Sequence, residues 1–113
     1  MAKNKRLPKF VTIGPFRVEL IVAPHEVMYE MGEAQGMFVQ KPPYKIYLDR
    51  DIIERGGADA FNLVVHECMH VSYYQYNMKD KDEEHIVNSF GNFLAELFCK
   101  SELKEWLREN MKD

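Results

Sequence analysis

The chain has 113 residues and two cysteines, with 15 basic against 18 acidic side chains and a net charge of −3. That length suits one domain over residues 1–113 with a core that needs no disulfide staples. The mixed charge offers no basic footprint for nucleic acid, and no apolar run approaches the roughly 18 residues of a membrane span.

Lys3 to Lys9 form a short basic stretch, so residues 1–9 are expected to be a flexible arm. No signal-type apolar core precedes Pro8, so a cytoplasmic setting is expected, without membrane or nucleic-acid partners.

Strands come first. Phe16, Val18, Leu20 and Val22 alternate with Arg17, Glu19 and Ile21 between Gly14-Pro15 and Pro24, a period of two that predicts a half-buried strand. Val11 to Ile13 is expected to pair with it across the Gly-Pro turn. His25 to Met31 reads equally as a short helix or a strand, and Gly32 and Gly36 as turns. His25 itself is expected to be a hydrogen-bonded structural histidine. Two further strands are expected at Met37 to Gln40 and, after Pro42-Pro43, at Tyr44 to Leu48.

Past Gly56-Gly57 the period changes. Phe61, Val64, Val65, Cys68, Met69 and Ser72 keep a mostly apolar stripe at helical spacing, predicting a helix through Asn62 to Tyr74 with Asp59 as its N-cap. Within it lies His66-Glu67-Cys68-Met69-His70, an HExxH run. Residues i and i+4 share a helix face, so both imidazoles can turn a nitrogen to one zinc ion, at about 2.0–2.1 Å. Glu67, offset by about 100°, is the general base for the attacking water. Cys68, two residues from either histidine, turns to the other side and is read as a core residue with a free thiol. Tyr73, Tyr74 and Tyr76 are candidates to stabilise an oxyanion.

A second amphipathic helix is expected to open at Asp80-Lys81-Asp82-Glu83-Glu84, with Ile86, Val87, Phe90, Phe93, Leu94, Leu97 and Phe98 on its apolar face. Its first turn offers a third zinc ligand. Asp80 and Glu83 have capping-box spacing, which would occupy Glu83. Asn88 lies one turn beyond Glu84 and could hydrogen-bond a liganding histidine. Glu84 is therefore favoured, then Glu83, then His85. A short terminal helix is expected around Leu103, Trp106 and Leu107.

The whole order predicts an α+β fold in which a small, mostly antiparallel sheet in the N-terminal half packs against two main helices. HECMH followed by EEHIVNSFGNFLAEL resembles the small single-domain gluzincins, the ImmA/IrrE-like metallopeptidases and their phage-borne relatives. The likeness covers about Lys45 to Leu97. It matches the pattern of Glu, two residues, a small apolar residue and Asn at Glu84 to Asn88, with Val87 larger than the usual alanine.

The resemblance implies a minimal zincin-like fold, zinc held by His66, His70 and Glu84, and hydrolysis of a protein or peptide substrate. It further implies that an edge strand, Met37 to Gln40 or Tyr44 to Leu48, holds that substrate. The alternative expectation is a non-catalytic zinc-containing binding module, or a phage-type effector on the same fold. Oligomeric state has no sequence signal.

Overall fold

A computed structural model describes residues 6–32 and 35–112. The greater part of the basic arm, residues 1–5, lies outside the described residues. Strand β1 (Phe10–Ile13) turns at Gly14-Pro15 and pairs antiparallel with β2 (Phe16–Ala23), Ile13 opposite Phe16. Gly14 sits at φ +57°, a conformation glycine reaches at little cost. The ambiguous segment is helix α1 (His25–Glu30), followed by β3 (Gly36–Val39) and β4 (Lys45–Asp49).

The sheet order is β1-β2-β4-β3. β4 runs parallel to β2, with Leu20 against Ile46, and antiparallel to β3, with Phe38 against Ile46. The four-stranded sheet is thus mixed, antiparallel in two of its three pairings. β4 lies in the interior and β3 at an edge.

A six-residue helix that the sequence pattern did not signal, α2 (Arg50–Arg55), follows β4 directly. Asp49 caps it by accepting the Asp51 N–H at 2.9 Å. Gly56, at φ +69°, closes α2 and opens α3 (Gly57–Gln75). The helix therefore starts before the expected cap: Asp59 sits in its first turn, where its charge complements the helix dipole.

Helix α4 (Glu83–Cys99) also starts differently from expectation. Asp82 is its N-cap and accepts the His85 N–H at 2.9 Å, whereas Asp80 stands outside the helix at φ +61°. The capping box between Asp80 and Glu83 does not form, because a cap must directly precede the first turn. Helix α5 (Lys104–Glu109) carries Trp106 and Leu107 inward.

Helix α3 lies across the sheet, touching β1, β3 and β4, and α4 packs on α3 and β1. Val11, Val18 and Leu48 from the sheet meet Val64, Cys68 and Val71 from α3 and Phe93 from α4 in one core. This layering fixes α3 with its apolar stripe under the sheet and the His66–His70 side turned toward β3 and α4. No helix among the described residues is long and apolar enough to cross a membrane.

Candidate metal centre

Helical spacing brings His66 and His70 together as the sequence implies. Their rings are 5.0 Å apart, centroid to centroid, and cross at 79°. Both side chains are exposed, while Glu67 beside them is buried, with its Oε2 3.9 Å from His66 Nε2. One donor atom from each of His66, Glu67 and His70 lies within 4.8 Å of the others, a spacing a single cation can bridge.

The edge strand comes down on this group. An ideal Cβ built on Gly36 would stand 2.7 Å from Glu67 Oε2 and 2.8 Å from its Cδ, closer than real Cβ atoms come. Gly36 is therefore not the expected turn residue but the first residue of β3, bare because Glu67 occupies the space a side chain would take. The sequence held no sign of this beyond the glycine itself.

Two recesses meet at the histidines. One, of about 260 Å3, is lined by Gly36, Met37, Phe38 and Gln40 together with His66, Glu67 and His70. The other, of about 300 Å3, is lined by His66, Met69, His70 and Tyr73 of α3 and by Phe90 of α4. Of the two strands that could border the site, β3 does so, and β4 is enclosed between its neighbours.

The remaining candidates are dispersed. Glu83 and Glu84 occupy the exposed first turn of α4, and neither joins His66 and His70 in a group close enough to share an ion. His85 is turned away, its Nε2 2.9 Å from the carbonyl oxygen of Tyr76. Asn88 is exposed on α4.

Neighbouring tyrosines part company, as residues about 100° apart on a helix must. Tyr73 borders the histidine recess, whereas Tyr74 packs against Phe16, Phe38 and Tyr44 with ring centroids 5.6 to 6.1 Å apart. The Tyr74 hydroxyl pushes the Tyr44 phenol above its ordinary pKa. Tyr76 contributes its carbonyl to His85.

Cys68 is fully buried on the far side of α3, and burial, with Glu67 nearby, drives its thiol far up in pKa, so it stays a neutral core residue. Cys99 is an exposed free thiol.

No family model, curated protein or solved structure matches the chain.

A second group, His25 with Asp49 and Asp51, has the same close spacing of donor atoms. Its bonds join elements of the fold: Asp49, 2% exposed, receives His25 Nδ1 at 2.7 Å while capping α2. His25 is thus hydrogen-bonded within the fold, as expected.

Proposed function

We propose that the protein is a zinc-dependent peptidase with a minimal zincin-like arrangement, acting on a protein or peptide substrate. The observation that carries this reading is the trio itself: two exposed imidazoles one turn apart, with a buried carboxylate against them at the foot of an edge strand. Neutral imidazole and carboxylate are the donors zinc prefers in catalytic sites.

His66 and His70 are the proposed holders of the ion, with a carboxylate as third donor. Glu84 is the proposed third ligand, with Glu83 the alternative, on the spacing of the motif alone, since neither carboxylate stands within ion-sharing distance of the histidines in this structure; His85 is committed to Tyr76. Asp82 caps α4 with its own side chain, so the cap does not consume Glu84. Asn88, one turn further on along α4, is the proposed hydrogen-bonding partner of a liganding histidine.

Zinc held there would act as a Lewis acid on the scissile carbonyl and acidify the attacking water. The protein's own part falls to three features. Glu67 takes the water's proton and delivers it to the leaving amine, a role suited to a carboxylate that can reach both from one fixed position. The outer edge of β3 pairs with the backbone of an extended substrate and so fixes which carbonyl meets the histidines. Tyr73, at the margin of the recess, is the phenol placed to donate to a developing oxyanion.

Zinc affinity measured by competition with a chromophoric chelator tests the ligand set. His66→Ala and His70→Ala should abolish stoichiometric binding, Glu84→Ala should weaken it at least about ten-fold, and Glu67→Gln should leave it unchanged. Loss of zinc in Glu83→Ala but not Glu84→Ala would reassign the third ligand. Zinc lost on replacing Glu67 alone would make Glu67 a ligand and remove the proposed base.

A further inference from the structure

The histidines divide two recesses of different character. The one under β3 carries the Glu67 carboxylate and the strand backbone; the other has Met69, Tyr73 and Phe90 for walls and, among the described residues, no ionisable group other than the two histidines and the Tyr73 phenol. Met69 and Tyr73 stand three and seven residues beyond His66, on the same side of α3. Phe90 reaches across from α4. On that helix Val87 and Leu94, three residues before and four after Phe90, are large apolar side chains left 56% and 38% exposed. An apolar surface thus continues outward from the recess along α4.

An extended chain paired on β3 sends alternate side chains to opposite faces. The second recess shares His66 and His70 with the one that β3 lines, so a side chain on the α3 face of such a chain has a way into it past the histidines. A charged side chain there would give up hydration against the Met69 and Phe90 walls, while an apolar one would exchange water for them. The geometry points to this recess as the receptor for an apolar side chain flanking the bond held at the histidines, with Phe90 setting the size it admits. The substrate class is therefore an extended peptide with an aliphatic or aromatic residue beside the cleaved bond. This assignment rests on the peptidase reading for the position of the carbonyl.

The test uses the zinc-loaded full chain and a set of peptidyl hydroxamates that differ in one side chain: isobutyl, benzyl, naphthylmethyl or carboxymethyl. Calorimetric titration should give isobutyl and benzyl compounds at least ten-fold tighter than carboxymethyl. Phe90→Ala should shift the preference toward naphthylmethyl, and Met69→Gln, which keeps length while adding polarity, should narrow the gap between isobutyl and carboxymethyl. Melting curves identify any variant that does not fold, and the Met69 variant then decides. Equal binding of all four compounds, no binding of any, or an order unchanged in both variants overturns the assignment. Side-chain-dependent binding without cleavage of any peptide would retain the recess and defeat the peptidase reading. Cleavage without such dependence would do the reverse.

Discussion

A methyl group at Gly36 would collide with Glu67, yet Gly36 has ordinary strand backbone, so Gly36→Ala tests space alone. The expected cost is about 1–3 kcal/mol, the usual range for overpacking, read from the denaturant midpoint. The same substitution should depress hydrolysis while sparing zinc affinity, because the histidines are untouched. Adding Glu67→Ala should recover much of the lost stability, since the two changes share one contact; strictly additive costs would mean that the contact is not the cause. At this scale the motif was legible because helix geometry alone makes His66 and His70 neighbours. The Gly36–Glu67 contact was not, since 31 positions of chain separate them and only the tertiary fold closes that distance. The parting of Tyr73 and Tyr74 follows from periodicity, but which of them faces the histidines depends on how α3 is rotated under the sheet.

Between elements, His25 of α1 and the Asp49 cap of α2 form the contact with the clearest dependence on pH. The Asp49 hydrogen bond, aided by its charge, raises His25 above 6.5. Burial opposes ionisation of Asp49, but the His25 bond and the Asp51 N–H outweigh it and bring its pKa below 3.8. The His25 contribution is complete below pH 6.5 and disappears as pH rises through the raised value; the Asp49 contribution is complete above pH 3.8 and disappears as pH falls through the lowered one. The melting-temperature difference between wild type and His25→Gln should therefore be largest near pH 5 and shrink above neutrality. A difference independent of pH would remove the pair as the cause. Strands β1 and β2 and the body of α3 were legible because their apolar periods run long enough to declare themselves. Six-residue α2 was not, being shorter than two turns of pattern, and its cap, Asp49, reads in sequence as the polar end of a strand. The start of α4 falls at Asp82 and not at Asp80, two aspartates with the same capping chemistry that only the backbone tells apart. The parallel pairing of β2 with β4 was hidden because β3, which comes between them in sequence, ends up outside them.

Across the whole molecule, stability and site share one core. Phe93 is fully buried where α4 meets α3 and the sheet, and Phe93→Ala should cost about 3–5 kcal/mol in unfolding free energy. Asn110, also buried, ties the end of the chain to the start of α3: its Oδ1 accepts the Gly57 N–H and its Nδ2 donates to the Trp106 carbonyl, both at 2.9 Å. Asn110→Ala should cost about 1–3 kcal/mol by leaving those groups unsatisfied. Neither residue lines a recess at the histidines, so zinc affinity of the folded fraction should stay at the wild-type value, which chelator competition below the melting temperature can check. The α+β class was legible from the order of strands before helices. What the sequence could not specify was the edge position of β3, from which the account of substrate binding follows.

The central claim is that Glu67 performs the proton transfer at a zinc site held by its neighbours. The most direct measurement is cleavage of a degenerate peptide library by zinc-loaded wild type and Glu67→Gln at equal metal occupancy, followed by mass spectrometry. The expected result is one zinc per chain in both proteins and cleavage by wild type alone, with the variant slower by about 10²–10⁴-fold. Equal cleavage by the two proteins, or no cleavage by fully zinc-loaded wild type, would contradict it.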